Sequence, residues 1–317
     1  MNKEHYRYID VLKGFGIILV VLGHLNPNIY LEKWIYSFHM FLFFFLSGYV
    51  FKKKSDFWEQ LRKSANSLLL PYIFWNGVAI IFSLIIKEYT LFVGIKKIFY
   101  FDLVSWNSPV WFLVVLFWTR LAYQLLSNKK IVLIPTLFFM VACSYFGIFD
   151  ILPMGLNILP DAIIYFGIGK LLSEIKIEKW HYALIAPMMV VSIVGSQIND
   201  RISMYGNYFG NYIISLLVGI CAITWIFLTA KLLAKPGKVC NILSKTGKYS
   251  INVMCTHYLI LRIMQFLSVH ILNGYDVWKA EGFLKAIIVT AVVFAIEYLI
   301  VKSLRLLRIP NSHILRV

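Results

Sequence analysis

Ten apolar runs of 16 to 21 residues follow one another along this chain with only short polar breaks, and this repetition restricts its fold more than any other feature. A hydrocarbon layer about 30 Å thick is crossed by about 20 mostly apolar residues in a helix, which satisfies its own backbone polar groups. The runs are Tyr8–Leu25, Trp34–Phe51, Ser67–Ile86, Pro109–Leu126, Ile131–Phe149, Ile158–Ser173, Tyr182–Ile198, Gly210–Ala230, Ser250–Val269 and Phe283–Val301. Sixty per cent of the 317 residues are hydrophobic, against about 45–50% in soluble domains. An ordinary soluble protein is therefore excluded. The pattern predicts an all-α polytopic membrane protein with about ten transmembrane helices, forming a single domain over residues 1–317 with no appended soluble domain.

The formal net charge of +16 fits topology before it fits nucleic acid. With the N-terminus in the cytoplasm, 21 of the 31 Lys and Arg residues fall in inner segments, from Lys3 and Arg7 through Lys52–Lys54 and Lys129 to Lys235, Arg308 and Arg316. Six fall outside: Lys33, Lys87, Lys96, Lys97, Arg201 and Lys279. That asymmetry follows the positive-inside rule, and an even span count puts both termini in the cytoplasm. The outer segment Lys87–Ser108, rich in Phe99, Tyr100, Phe101 and Trp106, reads as interfacial, and the loop Asn199–Asn211 is polar. The first run carries Asp10 and Lys13 and has no small-residue cleavage site, so it reads as a span and not a cleavable signal peptide. Cys143, Cys221, Cys240 and Cys255 are scattered without a C-x-x-C pair, which points away from a metal or disulfide framework.

Ionisable groups inside spans are costly and mark functional candidates. Lys13 and His24 in the first span are eleven residues apart. At 100° per residue they share one face, about 16 Å apart along the axis. Asp10 lies one turn from Lys13 and can pair with it, while Gly14, Gly16 and Gly23 let a neighbour approach closely. The competing reading is that Asp10 and Lys13 mark one membrane surface and His24 the other. His39 in the second span sits at similar depth to His24, and two imidazoles within reach of each other suit proton transfer. His257 is a third intramembrane histidine. Arg120 and Asp161 line a cavity, pair with neighbours or sit near an interface, whereas Arg262 and Glu297 carry no assignment. His5, His181, His270 and His313 read as surface residues. Nucleotide-hydrolase, serine-hydrolase and zinc-protease motifs are absent.

The segment Tyr8-Ile-Asp10-Val-Leu-Lys13-Gly14, continuing to Gly23-His24, resembles the acyltransferase-3 family of integral membrane acyltransferases, whose signature is Arg, ten residues, His. Lys13 replaces the arginine, as in the branch that resembles fucose 4-O-acetylases. His39-Met-Phe-Leu-Phe-Phe-Phe-Leu-Ser47-Gly48-Tyr49 is similar to the family's second-span segment, with Phe41 in place of proline. Arg62 to Leu70-Pro71-Tyr72, Pro109-Val-Trp111-Phe112-Leu113 and Gly247-Lys-Tyr-Ser250 to His257 resemble three further segments in the same order.

The resemblance implies an O-acetyltransferase that moves an acetyl group from cytoplasmic acetyl-CoA to a hydroxyl of a carbohydrate, glycolipid or other cell-envelope acceptor. It places the protein in a bacterial cell membrane, without metal or nucleic acid and with a homodimer as one possible assembly. His24 is the expected base, with His39 or Asp10 in support. Lys13, Arg7, Arg62 and Lys248 are the expected CoA-phosphate ligands, although lysine offers a point charge where arginine offers a fork. Trp111, His257, Arg120 and Asp161 are expected near the acceptor. Tyr30, Tyr36, Trp106 and Trp111 suit sugar stacking as well as an interfacial aromatic belt. A transporter of a glycan or lipid-linked sugar is the alternative, set against the lack of repeated halves.

Overall fold

The computed structural model describes residues 7–100, 104, 106–126, 130–233, 237–271 and 282–306. Expectations for Lys3, His5, Phe101, Lys129, Lys235, Lys279, Arg308, His313 and Arg316 lie outside them. Among the described residues the chain is all-helical, with one isolated antiparallel bridge between Ser203 and Tyr208.

The first helices are α1 (Arg7–Gly23), α2 (Ile29–Tyr36), α3 (His39–Tyr49), α4 (Phe57–Ser64), α5 (Leu70–Ile85), α6 (Leu91–Phe99) and α7 (Trp111–Leu125). They are followed by α8 (Lys130–Tyr145), α9 (Leu159–Leu172), α10 (Ile185–Ile198), α11 (Tyr212–Leu233), α12 (Lys238–Lys248), α13 (Ser250–Ile271) and α14 (Phe283–Leu306). A π-helical turn, Ala65–Leu69, joins α4 to α5. Among the described residues, four helical stretches are long and apolar enough to cross a membrane: Phe57–Ile85, Lys179–Ile198, Tyr212–Leu233 and Phe283–Ser303. Ile131, Phe138, Ile198 and Leu284 expose their side chains on α8, α10 and α14. Apolar faces of this kind belong in lipid.

The second predicted span is not one helix. It breaks at Ser37 and Phe38 into α2 and α3. The Ser37 hydroxyl donates to the Trp34 carbonyl (2.7 Å), and His39 Nδ1 donates to the Ile35 carbonyl (2.8 Å). Side chains thus take carbonyls that a continuous helix would give to backbone N–H groups, and the break turns His39 inward.

Small residues set the closest crossings. A Cβ on Gly48 would collide with the Phe166 carbonyl, and one on Gly169 with the Phe45 carbonyl, so α3 and α9 cross backbone to backbone. Gly14 meets the Leu243 carbonyl and Gly247 the Asp10 carbonyl, locking α12 onto α1 in the same way. The backbones cannot yield without separating the helices. Gly48→Val is expected to cost about 1–3 kcal/mol, seen as a lowered unfolding midpoint of the detergent-purified protein; an unchanged midpoint would count against this crossing.

Candidate active site at the end of the first helix

α1 ends at Gly23, and the chain turns through Asn26 at φ 47°, leaving His24 at the rim of a cavity of 210 Å3. His39, Tyr36 and Trp111 line the same cavity. The His257 ring of α13 lies 5.5 Å from the His24 ring, inclined by 31°. Tyr258 packs edge-on to His24 at 5.2 Å, and the Tyr36 hydroxyl is 3.4 Å from His24 Nδ1. Three histidines from three helices therefore converge.

Two of the three have a fixed tautomer. A carbonyl can only accept, so His39 Nδ1, bonded to Ile35, and His257 Nδ1, 2.6 Å from the Val253 carbonyl, each carry the proton of the uncharged ring. Each Nε2 then holds the lone pair. His257 Nε2 is fully buried and has no hydrogen-bond partner among the described residues.

The polar loop after α10 closes the cavity with Arg201, Ser203, Met204 and Tyr205. Arg201 forms an ion pair with Glu32 (2.6 Å) and lies 4.0 Å over the Tyr36 ring. Lys33 Nζ donates to the Asn199 carbonyl (3.0 Å) and the Gln197 carbonyl (3.3 Å). Asn199 ties the loop's two ends through the Phe209 carbonyl and Ser215. Arg201, read from sequence only as an outer charge, is thus a cavity residue. The oppositely charged Glu32 in the neighbouring outer segment was its only sequence signal.

A second cavity, of 610 Å3, opens where α12, α13 and α14 meet. Lys245, Lys248, Lys302 and Glu297 line it, together with Val253. Glu297 accepts a hydrogen bond from Thr256. Val253 links this cavity to the His257 ring, since it lines the cavity while its carbonyl accepts from His257 Nδ1.

The remaining predicted residues divide by location. Lys13 pairs with Asp10 at 3.7 Å, Arg7 bonds Asn241 of α12, and Lys248 follows the glycine that packs on the Asp10 carbonyl. All lie toward the start of α1. Asp10, fourteen residues or about 21 Å along a helix from His24, makes the ion pair with Lys13 expected from sequence. Arg62 is exposed on α4 and lines neither cavity. Arg120 donates to the Ser67 hydroxyl (3.3 Å). Asp161 accepts from Ser144 (2.6 Å) and Tyr212 (3.0 Å), tying α8, α9 and α11 together. Neither Arg120 nor Asp161 borders the histidine cavity. His270 is at the surface, and His181 pairs with Glu178 in a helix cap.

A family model described as an acyltransferase domain matches residues 6–302. The chain is 32% identical over 169 residues to the nodulation protein NolL of Sinorhizobium fredii, a match covering 48% of this chain and 43% of that relative. The matched stretch thus spans less than half of the relative's length. No solved structure matches the chain.

Proposed function

The chain belongs to the acyltransferase-3 family, and from that premise we propose that it is an integral membrane O-acetyltransferase with His24 as general base. The donor in this reading is acetyl-CoA, and the acceptor is a hydroxyl of a carbohydrate or glycolipid of the cell envelope. The lining of one cavity by His24 and His39, with the His257 ring packed against His24, carries the proposal. The ten-span topology with both termini in the cytoplasm belongs to the same reading, supported by the sorting of basic residues.

CoA enters from the basic end. Its phosphates meet Lys248, Lys245 and Lys302 at the 610 Å3 cavity, with Lys13 and Arg7 on the adjoining start of α1. The pantetheine arm then covers a distance on the order of the 16 Å from Lys13 to His24. His24 accepts the acceptor's hydroxyl proton as that oxygen attacks the thioester carbonyl carbon. The carbon–sulfur bond breaks, and the CoA thiolate leaves and takes a proton. His257 and Tyr36 orient the His24 ring, His39 faces the same space, and Trp111 offers a ring face to a sugar. Holding both substrates in one cavity supplies the orientation that a bimolecular reaction lacks.

Incubating the purified protein with acetyl-labelled CoA and a cell-envelope glycan extract tests this reading. Covalent label on glycan together with free CoA thiol is expected. Accumulation of unmodified glycan inside vesicles would establish a carrier instead. Lys13→Ala and Lys248→Ala are each expected to raise the apparent KM for acetyl-CoA about tenfold with little change in kcat, as for loss of one charge-assisted contact. An unchanged KM would remove that residue from the donor site.

A further inference from the structure

Lone pairs are well supplied at the histidines. With Nδ1 bonded to a carbonyl, the uncharged His39 and His257 rings each keep an acceptor at Nε2. Attack of a hydroxyl on a thioester also needs a donor, aimed at the carbonyl oxygen as that oxygen gains negative charge. The Tyr36 hydroxyl is such a group: Tyr36 lines the histidine cavity, and its oxygen stands 3.4 Å from His24 Nδ1. Gly23 admits the ring, since a Cβ there would lie 3.3 Å from Tyr36 and 3.1 Å from Ile35. Tyr36 packs edge-on to His39 with centroids 4.9 Å apart, and the Arg201 guanidinium, paired with Glu32, lies 4.0 Å over its face.

The role of His24 as base fixes the direction of its bond with Tyr36. An uncharged imidazole carries one proton and one lone pair. Were the phenol to donate to Nδ1, the ring proton would sit on Nε2, and His24 would have no lone pair left for a substrate hydroxyl. With the proton on Nδ1, His24 donates to the phenol oxygen and Nε2 is open to accept. The phenol keeps its own proton for another acceptor in the cavity. One short contact thus ties a base to a donor, and a carbonyl carbon attacked beside Nε2 has its oxygen within reach of both.

We propose that Tyr36 is a further catalytic residue, whose hydroxyl donates to the thioester carbonyl oxygen as the tetrahedral adduct forms. The inference rests on the acetyltransferase reading with His24 as base and adds the group that holds the oxyanion. The acceptor oxygen bonds to the carbonyl carbon while its proton passes to His24 Nε2. The carbonyl π pair moves onto oxygen, where the Tyr36 hydroxyl meets it, and the Nδ1–H bond to the phenol oxygen steadies the imidazolium. The pair then reforms the carbonyl, the carbon–sulfur bond breaks, and the thiolate takes the proton from His24.

The test uses the full chain in detergent, with acetyl-labelled CoA and the cell-envelope glycan extract. Tyr36→Phe is expected to lower the single-turnover rate of acetyl transfer about 10²-fold, as for loss of one oxyanion donor. Calorimetric binding of acetyl-CoA should stay within about twofold of native. A residue that only steadied His24 would give a loss as well, so the deciding measurement replaces Tyr36 by 3-fluorotyrosine and by 3,5-difluorotyrosine through nonsense suppression. The rates are read below the pH at which either phenol ionises. Fluorine makes the hydroxyl a stronger donor and its oxygen a weaker acceptor. An oxyanion donor raises the single-turnover rate along the series, by about twofold or more, whereas a phenol that only accepts from His24 loses rate at each step. A flat or falling series, or a Tyr36→Phe rate within about threefold of native, overturns the inference. Native protein that transfers no acetyl at all overturns the enzyme reading and this inference with it; native transfer with a flat or falling series overturns the role of Tyr36 alone.

Discussion

His24→Ala is expected to lower acetyl transfer by about 10²–10⁴-fold, the usual contribution of a positioned general base. The same change should cost about 1–2 kcal/mol, within the usual range for a point substitution. His24 lies beyond the last turn of α1, partly open to the cavity, and its loss removes ring contacts with His257 and Tyr258 of α13. Transfer and thermal unfolding measured on the same detergent preparation separate these effects. Binding of acetyl-CoA should survive, because the lysines assigned to the phosphates lie at the other end of α1. A variant that keeps near-normal turnover would remove His24 from the chemistry. One that loses turnover only in proportion to lost folded protein would make it a structural residue.

Legibility from sequence depended on whether the relevant partners are close along the chain. The spacing of Lys13 and His24 was readable because Lys13 rides one unbroken helix, Arg7–Gly23, and His24 directly follows its last residue, so that spacing converts into an axial distance. The position of His39 was half readable. Its nearness to His24 follows from the short connection, but the break at Ser37 and Phe38 leaves no trace in hydropathy, since it arises from side chains competing for two carbonyls. His257 is more than two hundred residues from His24, and only packing brings their rings to 5.5 Å. Arg201 was hidden for another reason. A single cation in a polar outer loop looks like any other, and its pairing with Glu32 and Tyr36 is a tertiary fact.

The seating of α12 was the least legible part of the site. Its lysines read as one more inner charge cluster, yet Gly14 and Gly247 bring the helix into backbone contact with α1. This contact sets where α13 begins, and hence the depth at which His257 meets His24. Two glycines far apart in sequence thereby govern a contact between two histidines. Asp161 and Arg120 were visible as polar groups whose reading stayed open between a cavity, a neighbour and an interface, and their hydrogen bonds to Ser144, Tyr212 and Ser67 are ties to neighbours. A buried polar group needs a partner, and sequence alone does not tell a partner from a substrate.

His257 allows a sharper separation of roles, because its Nδ1 proton is committed to the Val253 carbonyl and the Nε2 lone pair has no hydrogen-bond partner among the described residues. A group with a single fixed acceptor can hold a neighbouring N–H or hydroxyl in place, or it can take the proton itself. Glutamine carries an amide oxygen close to the position of Nε2 but cannot act as a base near neutral pH. If His257 positions His24, His257→Ala should reduce kcat about 10²-fold while His257→Gln stays within about tenfold of the native enzyme, and His24→Gln should be as inactive as His24→Ala. The buried site makes folding a necessary control, since deleting this side chain leaves a cavity beside α1. Unfolding midpoints of both variants must therefore accompany the rates. Equal loss in folded His257→Gln and His257→Ala, combined with partial activity in His24→Gln, would exchange the two roles: His257 would be the base, and His24 the residue that steadies it.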